Sequence, residues 1–253
     1  MKPQDYEYLY QLEENFWWFA GMREITAVLL DPILPRDSEL RILDAGCGTG
    51  GMLSWLQRYS ASREVSGIDF SATALQFSQR RGHRQLARGS IAQLPFTGST
   101  FDLVTSYDVL QHVFDQGDYQ ALAEFNRVLR PGGIAFVRVA AYQWLRSGHD
   151  DAIAVQRRYT LPQLTRAMRD AGFRIRRATY ANTLLFPVAA VKRLLFSPAG
   201  AAHPESEVKP WPKGLEWING LLTLPLKVEA RALKSLSLPF GVSAICIGEK
   251  PRS

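Results

Sequence analysis

The segment Arg41-Ile42-Leu43-Asp44-Ala45-Gly46-Cys47-Gly48-Thr49-Gly50-Gly51 constrains the fold more than any other part of the chain. A short apolar run ends in an acid, passes through a glycine-rich turn, and leads into a helical pattern at Gly51. Glycine tolerates positive φ and carries no side chain, so the backbone can fold tightly and approach a ligand closely. Strand, glycine turn and helix in that order open an α/β domain that binds its ligand at the strand ends. Asp44 can there orient a positive group. A second run ends at Gly67-Ile68-Asp69-Phe70, where a carboxylate can accept hydrogen bonds from both hydroxyls of a ribose. Gly46, Gly48 and Gly51 also satisfy G-x-G-x-x-G, so the glycines alone leave an NAD enzyme open.

The pattern around this turn repeats. Runs of strand character fall at residues 41–44, 64–69, 84–87, 101–106 and 133–139. Helical patterns occupy 51–59, 72–81, 119–129 and 161–171, and two more strands are expected at 173–179 and 242–249. Such alternation predicts a parallel, doubly wound sheet with helices on both faces. An aromatic stretch, Tyr6 to Phe19, precedes a helix at 22–30 that Pro32 and Pro35 end. Residues 180–239 interrupt the last two strands; their repeated prolines predict short helices at the sheet edge rather than one long helix. The expected organisation is therefore a helical cap at 1–36, a core at 37–179 and 240–253, and a helical insertion at 180–239.

Five segments in order resemble the class I S-adenosylmethionine-dependent methyltransferases. Ile42-Leu43-Asp44-Ala45-Gly46-Cys47-Gly48-Thr49-Gly50 is similar to their first motif and Gly67-Ile68-Asp69-Phe70-Ser71 to the second. Gly89-Ser90-Ile91-Ala92-Gln93-Leu94-Pro95-Phe96 resembles the third, and Phe101-Asp102-Leu103-Val104-Thr105-Ser106 the fourth. Arg127-Val128-Leu129-Arg130-Pro131-Gly132-Gly133 resembles the turn before the fifth strand. The likeness covers residues 41–140 and implies seven strands, the seventh antiparallel, with S-adenosylmethionine as cofactor. It places Asp44, Gly46 and Gly48 at the methionine end, with Ala45 and Cys47 of the same turn also on the cofactor, Asp69 on the ribose and Phe70 against the adenine. Many relatives bond the adenine amino group with an Asp where this chain has Ser90, which shifts recognition toward the backbone of Ile91. Tyr107 faces the amino-acid end of the cofactor in this reading; plain packing is the alternative. Glu13-Glu14-Asn15-Phe16-Trp17-Trp18-Phe19 looks like the cap of a bacterial subgroup, with Trp18 either on a lid against substrate or anchoring a helix.

Methyl transfer from a sulfonium is an in-line displacement needing alignment and exclusion of water, and a base only where the acceptor holds its proton tightly. His112, past the fourth strand, and His149 beside Asp150 are the candidate bases, His149 the preferred one, with Tyr159 a third catalytic candidate. Tyr142, Trp144 and Arg158 are the candidate acceptor contacts, since this segment follows the fifth strand. Gln111 stands where relatives often carry Glu, which removes a charged partner for His112. The alternatives are a helix cap for His112 and a solvated loop for the later segment.

Two cysteines, Cys47 and Cys246, form neither a disulfide framework nor a ligand cluster, so a reducing, cytoplasmic setting without a metal is expected. The start Met1-Lys2-Pro3-Gln4-Asp5 has no signal-peptide pattern. A net charge of +6 and Arg166, Arg169, Arg174, Arg176 and Arg177 raise an RNA methyltransferase as an alternative. Ser106-Tyr107-Asp108-Val109 replaces the Asn/Asp-Pro-Pro-aromatic segment of exocyclic-amine methylation, which argues against nucleic acid. A catalytically inactive cofactor-binding scaffold is the non-enzymatic alternative. The insertion mixes Leu and Phe with Lys192, Arg193, Lys209, Lys213 and Lys227, a composition suited to an anionic membrane surface or to a wall over a greasy substrate. The expected reaction is methylation of a small, moderately hydrophobic acceptor on O, N or C; oligomeric state is not legible.

Overall fold

The computed structural model describes residues 3–34, 38–62, 65–114, 117–196 and 217–252. Seven strands form one sheet: β1 (Ile42–Ala45), β2 (Val65–Asp69), β3 (Leu86–Arg88), β4 (Phe101–Tyr107), β5 (Leu129–Ala140), β6 (Arg174–Ala181) and β7 (Ser243–Glu249). Their spatial order is β3-β2-β1-β4-β5-β7-β6. β1 to β5 pair in parallel, and β7 runs antiparallel to both β5 and β6. The winding reverses between β1 and β4, so loops on either side diverge there and leave a crevice beyond the strand ends.

The helices in chain order are α1 (Pro3–Leu12), α2 (Trp17–Leu30), α3 (Gly51–Leu56), α4 (Ala72–Arg80), α5 (Gly117–Val128), α6 (Gly148–Ala152), α7 (Leu161–Asp170), α8 (Phe186–Phe196) and α9 (Ile218–Ala232). One core lies under α5 and α7, built on Phe125, Leu164 and Met168 against Val104, Val137 and Cys246. The other face buries Met22, Ile25 and Leu30 of α2, Leu53 of α3 and Leu226 of α9 against Ile42, Phe136 and Ile245. Strands covered on both faces need apolar residues throughout, and all seven positions of β7 are buried.

Two expectations about the ends of the chain are corrected. The helical cap holds two helices, α1 and α2, and α2 begins at Trp17 rather than Met22. The two apolar stretches expected to break at proline form the single helix α9, with Pro225 inside it. An interior proline costs about 3 kcal/mol, and burial of Leu226, Ala230 and Leu233 against α2 offsets it. α9 therefore lies on the sheet face with α2, not at the sheet edge. Gly21 makes the approach close: a methyl group there would sit 2.2 Å from Leu226 Cδ1. The expected core boundary at residues 36–37, Glu64 at the start of the second run, and the insertion's Lys209 and Lys213 lie outside the described residues.

Candidate cofactor and acceptor site

The glycine turn is held from three sides. Gly46 N and Cys47 N both donate to Ile68 O, at 2.7 and 3.0 Å, which ties the turn to the end of β2. Gly48 N donates to Asp69 Oδ2 at 2.9 Å, and Ser78 Oγ donates to Gly48 O at 2.8 Å. Gly46 has φ +91° and Gly48 φ +54°, in the left-handed region where a side chain is strained. A methyl group on Gly46 would also strike Val109, whereas one on Gly48 would meet only Leu9 of α1 at 4.0 Å.

Asp44 and Asp69 flank this turn. Thr105 Oγ1 donates to Asp44 Oδ1 at 2.7 Å, and burial pushes the Asp44 carboxyl up to about 7. Asp69 Oδ1 accepts from Ser71 N at 2.8 Å; burial raises its pKa against the pull of the Ser71 and Gly48 N–H groups. Next to it Phe70 is 77% exposed, a flat apolar face at the strand end. The hydroxyls of Ser106 and Tyr107, at the end of β4, are buried without a hydrogen-bond partner. S-adenosylmethionine carries an ammonium, a ribose diol and an aromatic base. Asp44, Asp69 and Phe70 fit those groups, and the two orphaned hydroxyls mark polar capacity that the protein itself leaves unused.

Several of the cofactor candidates turn their side chains away from the crevice or spend them locally. Ala45 and Cys47 point into the core; a methyl group on Gly67 would meet Cys47 Sγ at 2.8 Å. The Cys47 N–H is spent on Ile68 O, and burial raises its thiol far above the ordinary value. Ile91 is buried in the core under α5, and Ser90 Oγ accepts from Ala92 N at 3.2 Å.

α1 lies over the turn, a relationship that composition does not reveal. Leu9 covers Gly48, and Tyr6, its pKa raised by burial, reaches Ser71 beside Asp69. Arg81 Nε donates to Thr49 O at 2.9 Å while its guanidinium stacks 4.3 Å from the Tyr10 ring. Trp18 sits on the other half of the crevice. Its ring lies 4.8 Å from the Arg138 guanidinium, which also faces Tyr107 and pairs with Asp108 at 2.6 Å. Arg138 was invisible in sequence because it falls inside the apolar run of β5.

On the acceptor side the segment after β5 docks onto the turn that carries His112. Gln156 N donates to Gln111 O at 2.8 Å, and Gln111 Oε1 accepts from Ala140 N at 2.6 Å. His112 Nδ1 lies 3.2 Å from Ala154 O. A carbonyl can only accept, so Nδ1 carries the proton and Nε2 keeps its lone pair. Burial lowers the His112 pKa, and the carboxylates of Asp108 and Asp69 lie close enough to interact with it.

Tyr142 stacks on Tyr180 with centroids 5.1 Å apart and meets Trp144 at 5.8 Å. Phe186 joins both rings and contacts Phe240. Tyr142 (φ +57°) and Asp108 (φ +58°) are non-glycine residues in the left-handed region, one past β5 and one past β4. Such strain is kept where the surroundings over-determine a site.

Three of the sequence candidates at this end are engaged within the protein. Asp150 accepts from Arg158 Nε and Nη2 at 2.9 and 3.1 Å and from Ser147 N at 2.8 Å. Arg158 is itself consumed, with Nη1 on Ala141 O and a side chain only 2% exposed. Tyr159 is buried and donates to Asp118 Oδ2 at 2.9 Å, so its hydroxyl faces the core. The arginine row is largely paired too: Arg174 and Arg176 with Glu249, Arg166 with Asp170, and Arg177 on the carbonyls of Leu233 and Leu236.

Residues 43–137 match the family described as "Methyltransferase domain". A probable S-adenosylmethionine-dependent methyltransferase of Mycolicibacterium smegmatis is 29% identical over 166 residues, 64% of this chain and 61% of that protein. A demethylmenaquinone methyltransferase of Lactiplantibacillus plantarum is 40% identical over 103 residues, 38% of this chain and 43% of that one. The chain thus spans less than two thirds of the length of either relative. Among solved structures, a possible histamine N-methyltransferase of Thermotoga maritima superposes with TM-score 0.59 at 20% identity, covering 98% of this chain and 95% of that one. At that identity the likeness concerns the fold alone. The matched segment contains the glycine turn and both flanking carboxylates, so residues 43–137 form a methyltransferase domain of the class I S-adenosylmethionine-dependent type.

Proposed function

We propose that this protein transfers a methyl group from S-adenosylmethionine to a small, moderately hydrophobic acceptor. The observation that carries the reading is the pairing of an anionic cradle, Asp44 and Asp69, with an aromatic approach formed by Tyr142, Trp144 and Phe186. The cofactor supplies an electrophilic methyl on a sulfonium. Asp44 holds its ammonium, Asp69 its ribose and Phe70 its adenine, while Trp18 and α1 exclude water from the crevice.

His112 is the proton acceptor in this reading, in preference to His149. Its Nδ1 is fixed by Ala154 O and its lowered pKa keeps Nε2 unprotonated at neutral pH. A general base of this kind is worth about two to four orders of magnitude in rate. Tyr142 and Trp144 supply the flat apolar walls on which an acceptor ring or chain would lie.

Calorimetric titration with S-adenosylmethionine, S-adenosylhomocysteine and NAD is the test. Micromolar binding of the two sulfur compounds, lost in Asp69→Ala and absent for NAD, supports the cofactor half. S-adenosylhomocysteine formation in an apolar metabolite extract, and not with bulk RNA, supports the acceptor half. Binding without turnover in any extract would instead mean an inactive scaffold.

A further inference from the structure

We propose that the outward faces of α8 and α9 form a docking surface for an anionic lipid bilayer. This rests on the surface of the insertion alone and not on the methyl-transfer reading.

Along α8 and the residues before it, Leu184, Val188, Val191 and Leu195 are exposed, Leu195 at 69%. Along α9, Trp217, Leu221, Leu224 and Val228 are exposed as well. The two sets share the steps 4, 3, 4, which on a helix align the side chains in one stripe. Each helix already buries or half-buries another face, so these stripes are surplus to the core. The stripes approach one another where Leu184 N donates to Glu229, the residue next to Val228, at 3.2 Å. Two apolar stripes that approach at one end exceed the single exposed residues a monomer scatters over its surface and mark an interaction site.

Charge selects the occupant. Glu229 is the one carboxylate in α8 and α9, and it is buried, accepting from the backbone N–H groups of Thr183 and Leu184 at 2.7 and 3.2 Å. Lys227, Arg231 and Lys234 are exposed at steps of 4 and 3, a row of cations beside the α9 stripe. Lys192 is exposed on α8. Leucines and a tryptophan on one face, cations beside them and, among the described residues of α8 and α9 themselves, no exposed acid is the pattern of a helix lying in the interface of anionic lipid. None of the described helices is long and apolar enough to cross a membrane, so the contact is peripheral. Trp144 and Phe240, exposed beside Phe186, add two aromatic rings next to α8.

Vesicle flotation of the full chain tests the proposal, with pure phosphatidylcholine against phosphatidylcholine containing about one third phosphatidylglycerol. The protein should float with the anionic vesicles only. Lys227→Glu/Arg231→Glu/Lys234→Glu should lose at least about thirtyfold in apparent affinity. Val191→Asp/Leu195→Asp should also release the protein, with circular dichroism and melting unchanged because both sites are exposed. No flotation on either vesicle would overturn the proposal, as would equal flotation on both. A dimer in sedimentation equilibrium that Val191→Asp/Leu195→Asp dissociates would overturn it in favour of a second copy.

Discussion

Glu13, in the turn after α1, accepts from Thr49 Oγ1 at 2.5 Å and from Gly51 N at 3.0 Å, so the cap's own carboxylate closes the cofactor turn. Arg81 adds an ion pair to Glu13 at 3.3 Å, and Arg23 binds the backbone carbonyls of Glu13 and Glu14. Burial raises the Glu13 pKa, and these partners pull it back toward ionisation. Hydrogen bonds to a charged group contribute about 1.5–3 kcal/mol each. Glu13→Ala is expected to raise the dissociation constant for S-adenosylhomocysteine about tenfold and to lower the melting temperature. Calorimetry separates the two effects: a melt that falls with unchanged affinity would show that the cap stabilises the protein without shaping the turn.

Asp44 gives the site a pH dependence of defined sign. Its carboxyl, pushed by burial to about 7 in the folded protein, titrates near 4 in an unfolded chain. Between those values the folded state holds a proton that the unfolded state has lost. Stability of the ligand-free protein therefore falls as pH rises from about 4 to about 7. Asp69 and Glu13, raised for the same reason, add to that slope. A ligand ammonium favours the ionised form, so cofactor binding below pH 7 should release a proton. Titrations in buffers of different ionisation enthalpy measure that release, and Asp44→Asn should abolish it.

His112 and His149 are separable by kinetics. His112→Gln should cut turnover by about two orders of magnitude or more while leaving S-adenosylhomocysteine affinity within a few-fold. His149→Ala should keep near-normal turnover. Because burial lowers the His112 pKa, activity should fall on the acid side through an apparent pKa below the ordinary histidine value. An acid limb that persists in His112→Gln would assign it to another group.

The core of the fold was legible because its signal is local. Ile42 to Gly51 spells a strand, a turn needing positive φ and a helix start, and each property belongs to consecutive residues. The same holds for Asp69 at the end of β2. The acceptor side was less legible because its partners are distant in sequence. His149 and Asp150 are neighbours in the chain, yet helix geometry points successive side chains in different directions, and Arg158 and Arg193 claim the carboxylate. Arg138 carries no motif, being a lone cation in an apolar strand, and Glu13 lies in the cap segment without any sign in the sequence that it reaches the glycine turn. Pro225 misled for a related reason, since packing of α9 on α2 outweighs what the residue does to an isolated helix.

Arg158 and Asp150 provide the sharpest test of how that side is built. Their side chains are 2% and 1% exposed, and Arg193 lies 3.4 Å from the same carboxylate. Burial alone would raise the Asp150 pKa, but the two guanidiniums outweigh it and hold it below the ordinary carboxylate range. Its contribution is thus present above about pH 4 and lost as pH falls through the folded value, so acid should loosen this loop. Removing one partner strands a buried charge, which costs about 3–5 kcal/mol. Arg158→Met should therefore drop the melting temperature strongly, and adding Asp150→Leu should restore most of it. An acceptor-binding Arg158 would behave otherwise: the single variant would melt normally and raise KM, and the second substitution would rescue nothing.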